Sequence, residues 1–378
     1  MRRPCRNGPP ASSPHKIDLS SNGICVFSLD GASHKAKMRR LLLILAICLF
    51  LVMQAGSNGL IPRPVTLALL GDVMLGRGVA QVYALHPEER GALFALTPFL
   101  SEADLVLANL ESPITASPLT RPRYDLRASP ALADPLLEGL LESGLDVFSL
   151  ANNHALDCGL IGLHATQTAL DAHGLAFIGP DPTPLWRSVG DLHIAFFAFD
   201  DVTSPLDLVQ AQRSIIAASA RADLVVVSLH WGHEYRAVPS LRQQDIAQTL
   251  AAAGADLIWG HHPHVLQSVE WLPGRDRSHA TLVAYSLGNA LFDQVVPSDT
   301  RKSALLLVTL GIDGVQSVQA VPFEIDPFHA SVSLAGPEAA SQIYARLGLT
   351  PTPISVPYDG KSQRDSGPEH IKTATEVQ

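Results

Sequence analysis

The chain has 378 residues, 47% hydrophobic and 17% charged, which is enough to bury a substantial core in one large domain or two small ones. The first 55 residues hold eight Lys/Arg and two Asp/Glu, so the remaining 323 hold 19 against 34, a net charge of −15. Such an acidic domain is unsuited to nonspecific nucleic-acid binding, which depends on phosphate neutralisation by Lys and Arg. Only Cys158 lies beyond residue 48, which excludes a disulfide framework and a thiolate zinc site in the folded part.

Residues 1–37 are rich in Pro, Ser and Gly and lack periodicity. They are expected to be an over-extended start or a disordered segment. Met38-Arg39-Arg40 then precedes 13 apolar residues, Leu41 to Met53, followed by Gln54, Ala55, Gly56 and Ser57. A basic start, an apolar stretch and a small-residue exit read as a secretory signal over 38–57. An uncleaved signal anchor is the alternative. The stretch is short of the ~20 residues of a spanning helix. Ile47 before Cys48 is wrong for a lipid-anchor site. The chain is therefore expected to be exported, either membrane-anchored or extracytoplasmic.

From Pro64 onward short apolar runs alternate with helical patterns. Strands are predicted at Val65–Leu70, Leu105–Leu110, Leu145–Leu150, Leu192–Phe199, Leu224–Leu229 and from Leu257 to Trp259. Helices are predicted at Ala131–Ser143, Leu160–His173, 208–221 and Gln243–Ala253. Further strands follow at Val265–Trp271, Thr281–Tyr285, Ser303–Leu310 and Val315–Val321, then a short helix at Glu338–Leu347. The early alternation predicts βαβ units around a buried, largely parallel sheet, and the later strands without helices predict an antiparallel part. The domain is expected to span 64–327, with a short helix and a disordered tail over 328–378. No internal repeat is evident.

Polar residues collect where the apolar strands end. The first strand runs into Gly71-Asp72, the second into Asn109-Leu110-Glu111, the third into Asn152-Asn153-His154. The run at 224–229 ends at His230 and that at 257–259 leads into His261-His262-Pro263-His264. Open α/β sheets bind ligands at the carboxyl ends of their strands, so five such ends predict one convergent site. Taken singly, Asp72 also suits a turn or a helix cap, and Asn152 and Asn153 suit caps. Three histidines within four residues are rarely needed for packing, and imidazole is a common metal ligand. Carboxylate, amide and imidazole donors without thiolate suit Mn, Fe or Zn.

Six segments in order resemble the CapA family of poly-γ-glutamate capsule synthesis proteins. They are Gly71–Arg77, Asn109–Pro113, Ala151–Gly159, His230–Tyr235, Gly260–Gln267 and Tyr285–Asn289. That family is similar to the calcineurin-like metallophosphoesterases. The resemblance implies an α/β fold of four layers, αββα, with mixed sheets and one or two divalent ions at one edge. It implies Asp72, Glu111, Asn153, His230, His262 and His264 as metal ligands, and His154 as proton donor to a leaving group. Asp157 is expected to orient His154, and Arg77, Glu234, Tyr235 and Asn289 to line the substrate site. The superfamily's opening Asp-x-His is Asp72-Val73-Met74 here, so one expected ligand is missing. The bridging aspartate also lacks a match, with Glu111 as the nearest replacement and Asn109 in reserve; the CapA branch shares both departures.

The implied function is an exported, metal-dependent hydrolase-type protein in capsule or poly-γ-glutamate assembly. Its implied partners are an anionic polymer, or a phosphate or acyl substrate, and a membrane-bound synthesis complex. The alternatives are a general phosphomonoesterase or phosphodiesterase and a non-catalytic assembly or transport component.

Overall fold

The computed structural model describes residues 38, 42–45, 63–86, 91–120, 124–276 and 279–351. The chain divides into a unit at 1–60 and a unit at 61–378. In the first, residues 38 and 42–45 are helical, and the rest of the expected signal lies outside the described residues, as do 1–37 and 352–378. No described helix is long and apolar enough to cross a membrane.

In the second unit β1 (Val65–Val73), α1 (Arg77–Leu85), α2 (Thr97–Leu100), β2 (Leu105–Leu110), α3 (Pro130–Glu142) and β3 (Val147–Ser149) come first. Next are α4 (Gly159–Ala172), β4 (Ala176–Ile178), β5 (Leu185–Val189), β6 (Leu192–Asp200), α5 (Leu208–Ser219), β7 (Leu224–His230) and α6 (Leu241–Ala253). The last are β8 (Leu257–His261), β9 (Val269–Pro273), β10 (Ala280–Ala284), β11 (Asn289–Leu291), β12 (Lys302–Gly311), β13 (Gly314–Asp326), β14 (Ser331–Leu334) and α7 (Pro337–Leu347).

The strands form two mixed sheets. One has the order β14-β13-β12-β1-β2-β3-β4 with β11 beside β1, and the other the order β5-β6-β7-β8-β10-β9. Strands β1 to β4 run parallel, as do β6, β7, β8 and β10, while β12 to β14, β5 and β9 pair antiparallel. Side-chain alternation along each strand decides the layers. Leu67 and Leu69 of β1 meet Ile194 and Phe196 of β6 between the sheets, whereas Ala68 and Leu70 face α3 and its neighbours. Ala195, Phe197 and Phe199 of β6 face α5 and α6 on the opposite side. Three apolar layers thus separate helices, sheet, sheet and helices, the expected αββα sandwich.

A short device repeats four times, although no repeat is evident from periodicity. An aspartate opens β2, β3, β7 and β8, in Ala103-Asp104-Leu105, Leu145-Asp146-Val147, Ala222-Asp223-Leu224 and Ala255-Asp256-Leu257. Each carboxylate accepts from a backbone N–H of the neighbouring strand: Thr66 to Asp104 at 2.8 Å, Val106 to Asp146 at 2.8 Å, His193 to Asp223 at 2.7 Å and Val225 to Asp256 at 2.7 Å. Each aspartate N–H donates back to the carbonyl of that same residue. This clamp sets strand register at the edge opposite the polar strand ends.

The expected strand Val265–Trp271 begins only at Val269, because residues 262–268 form a loop tied to the sheet by a single bridge, Leu266 to Leu287. Strands β4, β5, β11 and β14 are five residues or fewer, too short for a period to stand out. Past residue 327, α7 buries Ile343 and Leu347 in the inter-sheet core, and Tyr344 Oη donates to the Ala320 carbonyl at 2.9 Å.

Two glycines let the segment 285–288 run close against the ends of β1 and β8 at the site. A Cβ on Gly71 would lie 2.1 Å from the Gly288 carbonyl oxygen, and one on Gly260 2.1 Å from that of Tyr285. The register of β1 against β2 slips between Leu69 and Asp72. The slip frees the Leu70 carbonyl, which accepts from Trp259 Nε1 of the other sheet at 2.9 Å. Bulges of this kind re-aim the following side chain, here Asp72.

Candidate metal centre

The ends of β1, β2, β3, β7 and β8 meet at one edge of the sandwich. Two groups of potential ligand atoms form there, each with all atoms within 4.8 Å of one another: Glu111, His230 and His262, and Asp72, Glu111 and His264. Glu111 belongs to both. Asn153 Oδ1 lies 2.8 Å from His230 Nε2, and Glu111 Oε1 lies 3.6 Å from that same nitrogen. Asp72 Oδ2 is 3.3 Å from His264 Nδ1. The structure therefore brings all six expected ligands together.

These donors fit a divalent ion. Glu111 Oε2 and His262 Nδ1 are buried without a hydrogen-bond partner. A buried polar group left unpaired costs about 1–3 kcal/mol, so such atoms ask for a partner. Carboxylates, an amide and imidazoles without sulfur suit Mn, Fe or Zn. The backbone is strained to aim the rings: His262 has φ +91° and His264 φ +56°, with Arg77 at +43° and Tyr235 at +62° nearby.

Electrostatics agree. Burial alone would raise Asp72, yet the imidazoles of His261 and His264 beside it hold it well below the usual carboxylate range. Glu111 is pushed well up, first by burial and then by the charges of Asp72 and Glu234, against the pull of His264. Burial and the neighbouring His264 push His262 down to about 3, and burial with His262 pushes His230 well down. His264 rises to about 9 despite its burial, because Glu111 and Asp72 face it. Four imidazoles and two carboxylates crowded this closely are the setting in which perturbed acidities mark functional sites.

His154 stands on the rim, held by the loop between β3 and α4. Its Nδ1 is 2.7 Å from Asp157 Oδ2 and its Nε2 is 3.8 Å from Glu111 Oε1. Beside it opens a cleft of about 760 Å³, lined by Asn153, Leu156, Asp157, Pro180, Phe199 and Leu206, among others.

The remaining expected residues divide. Glu234 is exposed and forms a third group with His262 and His264, so it overhangs the centre. Tyr235 stacks obliquely 6.3 Å from His264, and burial beside Glu234 lifts its hydroxyl to about 12. Arg77 does not offer a free fork: its guanidinium pairs with Asp293 and lies 5.6 Å over the Phe292 ring. Asn289 is fully buried, and its Oδ1 accepts from His264 Nδ1 at 2.9 Å. Its amide nitrogen donates to Gln294 and to the Thr300 carbonyl, both at 3.1 Å, so its polar atoms support His264 rather than face a substrate. Asn109 is likewise a tie: its Nδ2 donates to Asp72 Oδ1 at 2.7 Å and its Oδ1 accepts from Asn152 at 3.2 Å. Nothing in the sequence marks Asp293 as the partner of Arg77, since 216 residues separate them.

Comparison with known proteins decides the family. The model of the bacterial capsule synthesis protein family PGA_cap matches residues 66–294. This chain belongs to the PGA_cap family. Every site residue from Asp72 to Asn289 lies inside the match. A capsule biosynthesis protein CapA of Bacillus anthracis is 30% identical over 284 residues, covering 69% of this chain and 67% of its own. A PGA biosynthesis protein CapA of Bacillus subtilis (strain 168) is 32% identical over 281 residues, 68% of this chain and 71% of its own. Among solved structures, a Mycoplasma pneumoniae phosphatase aligns over 75% of this chain and 99% of its own at 14% identity, with a TM-score of 0.46. That likeness is too distant to bear on activity. In this PGA_cap chain the position after Asp72-Val73 is Met74, whose sulfur accepts from its own turn, Gly76 N–H, at 3.1 Å. It does not replace the missing histidine.

Proposed function

We propose that this chain is an extracytoplasmic, metal-dependent hydrolase acting in capsule or poly-γ-glutamate assembly. The observation that carries this reading is Glu111, shared by two groups of ligand atoms with His154 Nε2 3.8 Å from it. Asn153, His230 and His262 would hold one ion, Asp72 and His264 the other, with Glu111 common to both. A divalent ion bound there supplies Lewis acidity and lowers the pKa of a coordinated water. The chain's own groups do the rest. His154, oriented by Asp157, delivers a proton from Nε2 to the leaving group. The adjoining cleft receives the part of the substrate that departs. The capsule role and an anionic polymer substrate follow from what the two Bacillus relatives are named for. The bond cleaved is a phosphate ester or an acyl linkage of such a polymer, and a membrane-bound synthesis complex is the natural partner.

The test is a hydrolysis panel with Mn²⁺, Fe²⁺ or Zn²⁺: aryl phosphate monoester, aryl phosphate diester and γ-glutamyl amide. Wild type is expected to cleave at least one class, and His154→Ala to lose that cleavage while keeping its metal. Wild type that binds metal but cleaves none of the three overturns the hydrolase reading in favour of a binding component.

A further inference from the structure

His261 is the one histidine of the His-His-Pro-His run that the centre does not use. It ends β8 with no solvent exposure, and neither ring nitrogen makes a hydrogen bond. Leaving both nitrogens of a buried imidazole unpaired is costly, so the position calls for a reason. Packing explains part of it: the ring sits edge-on to Trp259, centroids 4.4 Å apart. Packing alone would be served better by an apolar ring.

The polar side of the ring gives the rest. His261 Nδ1 stands 3.5 Å from Asp72 Oδ1, while Asp72 Oδ2 faces His264 Nδ1 at 3.3 Å. The Asp72 carboxylate is therefore gripped from both ends, with Asn109 Nδ2 at 2.7 Å on Oδ1 and the His262 backbone N–H at 3.2 Å on Oδ2. His261 joins none of the groups of mutually close ligand atoms among the described residues. It stands behind Asp72, not among the ligands. Met74, where the superfamily's opening motif has a histidine, turns its sulfur to Gly76. Asp72 thus works without a neighbouring ligand on its own strand, and its orientation matters more.

We propose that His261 is a positioning residue, whose Nδ1 side, 3.5 Å from Asp72 Oδ1, attracts that oxygen so that Oδ2 points at the centre. This rests on the reading of the centre as a metal site. Groups that orient a ligand in this way are worth tenfold to about a hundredfold in metal affinity.

The experiment is calorimetric titration of the full chain with Zn²⁺ and with Mn²⁺, for wild type, His261→Phe, His261→Asn and His261→Leu. Phe keeps a ring on Trp259 but has no donor; Asn keeps a donor without the ring; Leu stands in if the Phe variant does not fold. The expected result is a tenfold to about hundredfold loss of affinity for Phe or Leu, with Asn restoring most of it. The Co²⁺ absorption spectrum is expected to keep its wild-type band pattern in the Asn variant, since no ligand is lost. Wild-type affinity in the Phe variant overturns the proposal and leaves only packing. A Co²⁺ spectrum altered alike in all variants overturns it too, because His261 would then be a ligand itself. A wild-type chain that takes up none of the three ions refutes the metal reading on which the proposal stands.

Discussion

His154 Nδ1 lies 2.7 Å from Asp157 Oδ2, three residues on in the same loop, and this pair turns His154 Nε2 toward Glu111. A carboxylate on one ring nitrogen sets the tautomer and aims the other. Asp157→Asn keeps the size of the side chain but loses its charge. Turnover of the cleaved substrate is expected to fall roughly 10²-fold, the lower end of what a positioned acid contributes. Metal content by mass spectrometry is expected to be unchanged, since Asp157 belongs to no ligand group among the described residues. Equal loss of metal and activity would contradict the division of roles.

Glu111 is shared by both groups of candidate ligand atoms, and it is buried beside like charge. Burial, Asp72 and Glu234 all push its pKa up. Glu111→Gln is therefore expected to act in opposite directions. The metal-free protein becomes no less stable, and metal affinity falls more than ~100-fold, beyond the effect of losing an orienting neighbour. Thermal unfolding in chelator, beside titration with Zn²⁺, reads both.

Metal removal has its own signature. Ions that bind only the folded chain stabilise it by about 2.7 kcal/mol at a hundredfold excess over the dissociation constant. For a domain of this size, chelation is expected to lower the unfolding midpoint by several degrees. The His154→Ala protein should show the same drop, and His264→Ala a smaller one.

Asp256 tests the clamp at the strand starts. Burial raises its carboxyl to about 6, although the Val225 N–H opposes this. A raised folded-state pKa means stability fully present below the ordinary aspartate value and lost as pH climbs through 6. Asp256→Asn keeps an acceptor for the Val225 N–H without titrating. Its stability relative to wild type is expected to improve between pH 4 and 7 by on the order of 2–3 kcal/mol. Urea titrations at several pH values measure this, and parallel curves would contradict it.

Gly260 lies in β8, two residues before His262, packed tightly against the end of β10 and against Trp231. A methyl group there would meet the Tyr285 carbonyl at 2.1 Å and Trp231 Nε1 at 2.6 Å. Gly260→Ala is expected to cost at least ~2 kcal/mol, as overpacking against backbone does. It should also disturb His262 and His264 just beyond, seen as weaker Zn²⁺ binding.

The run from Val65 to Leu70, the alternation through Leu229 and the Ala-rich helical stretches carried enough periodicity to declare βαβ units around a buried sheet, while the two-sheet sandwich followed only from the resemblance of the six motifs. The polar residues at the strand ends pointed to one convergent site, because open α/β sheets gather ligands at the carboxyl ends of their strands, and the resemblance supplied which of them are expected to be metal ligands. Periodicity says nothing of strands as short as Ala176–Ile178, nor of the aspartate clamps, which are contacts between strands and not patterns within one. Asn289 and Arg77 show the same limit. Each was expected at the substrate, and each is claimed by a partner in the fold: His264 for Asn289, Asp293 for Arg77.

By itself, then, the sequence determined the α/β alternation and the kinds of donor that gather at the strand ends, since hydrophobic alternation and donor type are properties of single segments. Only the tertiary structure decided which donors share Glu111, which residues stand behind them and which way each ring points. Those relations join residues far apart in the chain, 190 positions in the case of Asp72 and the His262 N–H, and they arise only when two sheets bring their carboxyl ends to one edge.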